Sequence, residues 1–209
     1  MFRKRTAVWI ATAIVCGVVA AVFLYPQKTS AAAIGIGTEA PAFELKNVDG
    51  QLVSLAAASG EVGTLVVFTC NHCPFAVAYE DRLIALANEF QPKGISFVAI
   101  SPNDPKIKPE DGFEAMQKRA QEKNLPYPYL LNEDGTIAKA YGAARTPEAF
   151  LLDKDGKVVY TGRIDDNTEV KEVKSHDLRN AMTKLVEGKA SEIEPKTTAA
   201  FGCTIKFRK

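Results

Sequence analysis

The chain has 209 residues, of which 46% are hydrophobic and 24% are charged, which excludes disordered and collagen-like proteins and predicts one ordinary domain with a short extension. Its 26 basic and 25 acidic residues nearly balance. Without residues 1–33, which hold four basic and no acidic residues, 22 basic and 25 acidic residues remain, a balance of −3, and so weakly acidic a domain has no electrostatic footprint for nucleic acid.

Residues 1–33 predict a targeting segment. They open with a basic cluster, continue with an uncharged stretch over residues 6–25, and end with small side chains. This order predicts a signal peptide cleaved near Ala32 or Ala33. The uncharged stretch is also long enough for an N-terminal membrane anchor, which is the alternative. In both cases we expect residues 34–209 to lie outside the cytoplasm, in the periplasm or another extracytoplasmic space.

The first elements after this segment are predicted to be a β-hairpin and a buried strand. The stretch PAFELKNVDGQLVSL alternates apolar and polar side chains on both sides of Asp49-Gly50, a turn dipeptide, which is typical of a hairpin. The run TLVVFT over residues 64–69 is continuous and rich in β-formers, which predicts a central strand covered on both faces.

A helix is predicted directly after that strand. Apolar residues recur there at the spacing of one helix face, namely Phe75, Tyr79, Leu83, Leu86 and Phe90. Pro74 is compatible with this helix because the amides of a first turn have no intrahelical partner. The helix is therefore expected to begin at or just before Cys73, which places Cys70 and Cys73 at its N-terminus.

The rest of the chain continues to alternate strands and helices. Strands are predicted at ISFVAIS and YPYLLN, helices at PEDGFEAMQKRAQEKN, GTIAKAYG and SHDLRNAMTKLVEG, and a second hairpin at EAFLLDKDGKVVYTG. Gly142 closes the helix GTIAKAYG, which follows the second of these strands. In the helix PEDGFEAMQKRAQEKN, we expect Phe113, Met116 and Ala120 to face inward. This order predicts an α/β fold with a mixed central sheet, helices on its faces and an N-terminal β-hairpin.

We therefore predict one domain over residues 34–189 and a C-terminal tail over residues 190–209. The tail is polar and irregular, yet it carries alternating apolar side chains, which are Phe201, Cys203, Ile205 and Phe207. This alternation predicts that the tail packs on another part of the protein.

The motif CNHC places Cys70 and Cys73 two residues apart at the predicted helix start. A disulfide between them would close a very small ring and add little stability, because the stabilisation grows with loop length. A redox pair is therefore favoured over a structural bridge. A helix N-terminus offers amides and partial positive charge to a thiolate, so we expect the pKa of Cys70 to lie below the free value of about 8.5 and Cys70 to attack.

His72 lies between the two cysteines. We expect its imidazole to stabilise the thiolate of Cys70 and so to make the disulfide more oxidising. The alternative is that His72 faces solvent, which is the role we expect for His176 near the last predicted helix.

A metal site is a further alternative for the same residues. A structural zinc site requires four ligands, usually in two pairs, but residues 34–209 contain no second C-x-x-C motif. Copper(I) accepts fewer and softer ligands, and His72 and Cys203 could join the pair in such a site. We predict no metal and no cofactor.

Four segments together resemble a known family, and they are PAFELKNVDGQLVSL, LVVFTCNHC, GISFVAISPND and AYGAARTPEAFLLDKDGKVVYTGRIDDN. The sequence is similar to thioredoxin-like redoxins, which include TlpA-type thiol-disulfide oxidoreductases and relatives of the AhpC/TSA peroxiredoxins. The resemblance spans roughly residues 37–187. It implies a thioredoxin-like fold and a redox-active pair of cysteines. The histidine in CNHC, as in the oxidant DsbA, implies a more oxidising couple than thioredoxin.

The resemblance also implies a substrate-binding segment. In this family a cis-proline faces the active cysteines, and the backbone beside it pairs with the substrate peptide. Thr146 and Pro147 match that position. Two departures stand out, because Thr69 replaces the tryptophan of thioredoxin and Thr64 lies near the position of its buried aspartate, which leaves the proton acceptor for Cys73 unassigned.

The tail motif AFGCTIK resembles the ending of a subgroup of AhpC/TSA-like proteins. Its Cys203 is either a third redox thiol, for example a resolving one, or a small buried apolar residue. The residues alone leave both interpretations open.

The sequence thus predicts an exported thiol-disulfide oxidoreductase that acts on protein disulfides or dithiols, with a membrane electron donor as a further expected partner. Cys70 is expected to attack, Cys73 to resolve the mixed disulfide and His72 to tune the couple. The nearest alternative is a peroxiredoxin-like thiol peroxidase, although the signature Pro-x-x-x-Thr-x-x-Cys is absent around Cys70 and Cys73. A copper-binding thioredoxin-like chaperone is the alternative from another class of protein.

Overall fold

The structure is a computed structural model that describes residues 34–208. The predicted targeting segment and its cleavage site lie outside these residues. Within residues 34–208, none of the helices combines the length and the apolar character needed to cross a bilayer.

The described residues form nine strands and four α-helices. The strands are β1 (Glu44–Asn47), β2 (Leu52–Ser54), β3 (Gly63–Phe68), β4 (Ile95–Ser101), β5 (Tyr129–Leu131), β6 (Arg145–Thr146), β7 (Glu148–Asp153), β8 (Val158–Gly162) and β9 (Cys203–Thr204). The helices are α1 (Pro74–Phe90), α2 (Phe113–Lys123), α3 (Thr136–Tyr141) and α4 (Asp177–Val186). Single turns of 3-10 helix occur at Gln91–Lys93, Pro109–Asp111, Val170–Glu172 and Ala190–Glu192.

Seven strands form one mixed sheet in the order β2-β1-β5-β4-β3-β7-β8. Strand β3 pairs parallel with β4 and antiparallel with β7, and all six of its residues are buried. The predicted central strand is therefore confirmed, and the fold is the mixed sheet with flanking helices that the sequence predicts. Strands β1 and β2 pair antiparallel across the Asp49-Gly50 turn, and β7 and β8 do so across Asp155-Gly156.

Apolar side chains cover both faces of this sheet. One face packs against α1 and α4 through a core that includes Leu65, Tyr79, Leu83 and Met182. The other face packs against α3 through a core that includes Phe68 and Tyr141, whose rings meet edge to face with centroids 5.4 Å apart. Because β3 is buried on both faces, the residues that follow its carboxyl end are held in a fixed position at that end of the sheet.

One detail of the predicted helix faces is wrong, and a second face is only partly buried. Phe75 is 38% exposed, and Ala76 is buried in its place, because the first turn of α1 turns its inner face toward the cysteines rather than toward the aromatic core. In α2 only Met116 is fully buried, whereas Phe113 and Ala120 are half-buried. The helix lies at the rim of the sheet, where Lys46 Nζ lies 4.1 Å from the centre of the Phe113 ring.

The tail packs on the protein, as its alternating pattern predicts. Ile205 is buried, and Phe207 packs against the same core as α3. Strand β9 pairs antiparallel with β6, so that Thr146 lies opposite Cys203. This second, two-stranded sheet was not predicted, and it brings the tail to the N-terminal end of α1.

Candidate active site

The two cysteines of the motif lie where β3 gives way to α1. Cys73 is the N-cap of α1, with Pro74 as the first helical residue, which confirms the predicted helix start. Cys70 is 5% exposed and Cys73 is 0% exposed. Both are free thiols that pack with Ala76 and the half-buried Cys203.

The two free thiols pack together, and each changes the pKa of the other. The neighbouring Cys70 thiol lowers the pKa of Cys73 to about 4, with further support from the Cys203 thiol and from the amides of Ala76 and Cys203. The Cys73 thiol, burial and the Asp111 carboxylate raise the pKa of Cys70 well above its ordinary range. The N-cap position and the amides of Ala76 and Cys203 thus favour a thiolate on Cys73, whereas the sequence predicts the lowered pKa for Cys70.

Cys73 also has a hydrogen-bond acceptor for its own thiol proton. Sγ of Cys73 lies 3.1 Å from the main-chain oxygen of Thr146, which accepts a hydrogen bond when Cys73 is protonated. Oγ1 of Thr146 lies 3.2 Å from Sγ of Cys70. Thr146 thus contacts both sulfurs, one through its carbonyl and one through its hydroxyl. Thr64, which lies near the thioredoxin aspartate position, instead contacts Gly60 and Ser96.

His72 is fixed over the pair rather than directed to solvent. Its Nδ1 lies 3.5 Å from Sγ of Cys70 and 2.6 Å from Oδ2 of Asp111. His176, in contrast, is exposed at the start of α4, as predicted.

Asp111 is a site residue that the sequence analysis missed. Its side chain is fully buried, and its Oδ1 accepts hydrogen bonds from the amides of Asn71 at 2.8 Å and His72 at 3.0 Å. Its Oδ2 accepts a further bond from Nδ2 of Asn103 at 2.8 Å. The carboxylate therefore holds the CNHC loop in place. The surrounding sequence PEDG is polar and gives no local signal for burial.

The Thr146-Pro147 peptide bond is cis, as the family resemblance implies. Both residues are buried beside the cysteines. The structure therefore brings together every residue of the predicted site, and Cys203 joins them because its amide donates a hydrogen bond to Sγ of Cys73 at 3.4 Å.

Three potential metal ligands meet at the site. One ligand atom each from Cys70, His72 and Asp111 lies within 4.8 Å of the other two. These atoms are one sulfur, one nitrogen and one oxygen, a mixed set rather than the soft set that copper(I) prefers. The nitrogen and the oxygen are already bonded to each other, so a metal would have to break that contact.

Comparison with known proteins gives a consistent assignment. Residues 36–161 match the model of the AhpC/TSA family. The chain is 41% identical to an uncharacterized conserved protein from Geobacillus kaustophilus, with a TM-score of 0.79 over 84% of this chain and 93% of that one. It is 34% identical to a hypothetical protein from Sinorhizobium meliloti, with a TM-score of 0.78 over 87% of this chain and 99% of that one.

A relative whose name states an activity is less similar. The thiol-disulfide oxidoreductase ResA of Bacillus thuringiensis is 28% identical over 149 residues, which are 70% of this chain and 80% of that protein. Solved thioredoxin-like domains below 25% identity, such as one from Bacteroides vulgatus with a TM-score of 0.58 over 74% of this chain and 99% of that one, share the fold.

Proposed function

The chain belongs to the AhpC/TSA family and is an oxidoreductase with a thioredoxin-like fold, and from this premise we propose that it exchanges electrons with protein disulfides through Cys70 and Cys73. The observation that carries the proposal is the pair of free, buried thiols packed together at the start of α1, where the pKa of Cys73 is lowered. A pair in this state holds a thiolate at neutral pH, and the thiolate is the form that attacks a disulfide.

We propose that Cys70 makes the first attack. Cys70 retains some exposure whereas Cys73 has none, so a partner sulfur reaches Cys70 first. The proton of Cys70 then moves to Cys73, whose thiol donates a hydrogen bond to the Thr146 carbonyl. The hydroxyl of Thr146 is placed to donate to the Cys70 thiolate that results. The Nδ1 proton of His72, which is donated to Asp111, lies on the side of the ring that faces the same sulfur.

The exchange then follows the chemistry of a mixed disulfide. The Cys70 thiolate attacks one partner sulfur, a bond forms between them, and the second partner sulfur leaves as a thiolate that takes up a proton. Cys73 loses its proton and attacks the Cys70 sulfur. This step forms the Cys70–Cys73 disulfide and releases the first partner sulfur as a thiol. The partner is reduced by two electrons, and the pair is oxidised by two.

His72 and the Thr146-Pro147 segment have separate roles in the proposal. His72 stabilises negative charge on Cys70 and makes the couple more oxidising, as the CNHC motif predicts. The backbone of Thr146 and Pro147 is the proposed contact for the partner's polypeptide. In accord with the sequence of residues 1–33, the proposed location is outside the cytoplasm, either anchored or released, and a membrane electron donor is the proposed source of reducing equivalents.

Two measurements on the purified protein test the function. The first is exchange with an unfolded protein that contains disulfides, which we expect to be lost in Cys70→Ser and in Cys73→Ser. The second is the reduction potential of the Cys70–Cys73 couple against glutathione, which we expect to lie above the value of about −270 mV for thioredoxin. Fast and saturable consumption of hydrogen peroxide, without exchange activity, would instead identify a thiol peroxidase.

A copper(I)-binding measurement tests the alternative of metal delivery. Stoichiometric and tight capture of copper(I) that His72→Ala abolishes, without disulfide exchange, would assign the site to metal delivery. Because His72 Nδ1 is bonded to Asp111, we expect no such capture.

A further inference from the structure

The tail occupies the backbone that the proposed function reserves for a partner polypeptide. Strand β9 pairs antiparallel with β6, with Thr146 opposite Cys203 and Arg145 opposite Thr204. The pairing continues beyond the strand, because the amide of Ile205 donates to the carbonyl of Ala144 at 3.0 Å. A segment of the same chain therefore lies where a substrate strand would bind.

A cysteine lies at the centre of this segment and contacts the active pair. The amide of Cys203 donates to Sγ of Cys73 at 3.4 Å, and its side chain packs with Cys70, Cys73 and Ala76. Cys203 is half-buried, whereas Cys73 is completely buried. The tail thus covers the pair and places the Cys203 thiol beside Cys73, the less accessible of the two cysteines.

The close approach depends on the residue before Cys203. A Cβ atom on Gly202 would lie 2.0 Å from the carbonyl oxygen of Thr146 and 2.6 Å from its carbonyl carbon. Any side chain at this position would therefore push the tail away from Thr146. Nη1 of Arg145 also donates to the carbonyl of Gly202 at 2.8 Å.

Contacts beyond Cys203 hold the tail against the site. The main-chain amide of Lys206 donates to Oδ1 of Asn103 at 2.7 Å. Nδ2 of Asn103 in turn donates to the Asp111 carboxylate. The amide of Asp104 donates to the carbonyl of Lys206 at 3.0 Å. Arg208 then pairs with the Asp104 carboxylate through Nε at 2.5 Å and Nη2 at 3.0 Å. The buried carboxylate that holds His72 is thus linked to the tail through one side chain.

We propose that the tail is a built-in substrate strand and that Cys203 exchanges with Cys73, so that the disulfide formed by Cys70 and Cys73 passes to Cys73 and Cys203. This inference rests on the proposed function, which supplies the first disulfide. The step needs no further oxidant, because one disulfide replaces another within the chain.

The proposed step replaces the disulfide between Cys70 and Cys73 with one between Cys73 and Cys203. The Cys203 thiol loses its proton, and its sulfur attacks Sγ of Cys73. A bond forms between these two sulfurs, the bond between Cys70 and Cys73 breaks, and Cys70 leaves as a thiolate that takes up the proton. The disulfide then includes a half-buried sulfur, which a second dithiol partner can attack without entering the closed pair.

Removal of Cys70 isolates the proposed bond. The full-length variant Cys70→Ser is oxidised with diamide and digested, and its disulfides are mapped by mass spectrometry. We expect a disulfide between Cys73 and Cys203 within one chain. Cys70→Ala, which removes the hydroxyl as well, serves as the second variant in case serine disturbs the loop.

A matched control moves the tail thiol by one position. Thr204 is exposed on the neighbouring position of β9, and successive strand side chains point to opposite faces. The triple variant Cys70→Ser, Cys203→Ser, Thr204→Cys keeps the same number of thiols in the same tail. We expect it to give no intrachain disulfide with Cys73.

A parallel measurement separates this inference from the proposed function. Cys203→Ser retains only the CNHC pair among the described cysteines and should form the Cys70–Cys73 disulfide. If it does so while Cys73 and Cys203 stay free in Cys70→Ser and Cys70→Ala, or form only links between chains, the exchange with Cys203 is overturned and the proposed function stands. If Cys203→Ser forms no disulfide, the proposed function is overturned and the exchange step with it.

Discussion

The Asp111 carboxylate contacts His72 twice, since it accepts a hydrogen bond from the His72 amide at 3.0 Å and lies 2.6 Å from Nδ1 of the ring. An ionised carboxylate only accepts hydrogen bonds, so this contact places the ring proton on Nδ1. The same Nδ1 lies 3.5 Å from Sγ of Cys70. The tautomer and the orientation of the imidazole are therefore fixed by a residue 39 positions along the chain.

Asp111→Asn should destabilise the CNHC loop. The new amide would direct donors at Asn103 Nδ2 and His72 Nδ1, which are themselves donors, and a lost buried hydrogen bond costs about 1–3 kcal/mol. We expect the free energy of unfolding in urea to fall by that amount. The matched control is Glu110→Gln, which removes the same charge from the exposed neighbour and should change stability by no more than about 0.5 kcal/mol. Equal stabilities of the two variants would contradict the role given to Asp111.

His72→Ala should make the couple less oxidising. The Nδ1 proton is shared between Asp111 and Cys70, and it faces a negative charge on the pair only in the reduced protein. A hydrogen bond to a charged group contributes about 1.5–3 kcal/mol. This corresponds to a fall in reduction potential of about 30–60 mV. The potential is measured by equilibrium with glutathione, and His176→Ala, at an exposed position, should leave it unchanged. A rise in potential would show that His72 favours the disulfide instead.

The reduced pair should release one proton in acid and hold the second. The pKa of Cys73 is lowered to about 4, first by the neighbouring Cys70 thiol, whereas that of Cys70 is raised. The ultraviolet absorbance of the thiolate should therefore show one ionised sulfur per pair above pH of about 4. Two ordinary titrations near the free value of about 8.5 would contradict these opposite pKa shifts.

The stability of the reduced protein should depend on pH in a matching way. Because the pKa of Cys73 is lower in the folded state, the unfolded chain binds more protons between pH of about 4 and the free value of about 8.5, and stability rises with pH over that window. The contribution is lost as the pH falls through about 4. Urea unfolding at several pH values should show this rise in Cys203→Ser but not in the variant Cys73→Ser, Cys203→Ser.

Gly202→Ala should detach the tail from Thr146. The added Cβ would lie 2.0 Å from the Thr146 carbonyl oxygen, so backbone has to move. Cys203 should then react with an alkylating reagent at least about tenfold faster, the factor for a loss of about 1.4 kcal/mol in closing the tail. Gly35→Ala is the control, because a Cβ there meets nothing within 4 Å. An unchanged rate in Gly202→Ala would show that the tail tolerates a side chain at this position.

The sequence was sufficient for most of the fold because its elements carry strong periodic signals. The buried run of β3 and the apolar stripe of α1 from Tyr79 to Phe90 are local patterns with one structural solution. The error at Phe75 has a tertiary cause. The helical stripe continues into the first turn by spacing alone, but the space beneath that turn is taken by the thiols.

The candidate site could be predicted only where residues are close in sequence or match a family motif. Cys70, His72 and Cys73 were identified from one motif, and Thr146-Pro147 from the resemblance. Asp111 was missed because its burial depends on the contact of a polar turn with the CNHC loop, which no local pattern encodes. The position of Cys203 depends likewise on the pairing of two short strands, although the alternation in the tail indicated that it packs.

The tail also covers the outer border of the large sheet. Strand β8 is the last strand in the sheet order, and the tail lies along it, with the Thr161 amide donating to Lys196 and the Thr161 carbonyl accepting from Thr198, both at 3.0 Å. An unpaired strand at this border is a template on which other polypeptides assemble into intermolecular sheets. The segment that reaches the thiols therefore also covers this border and opposes self-association. A chain truncated before residue 196 would lose solubility together with Cys203.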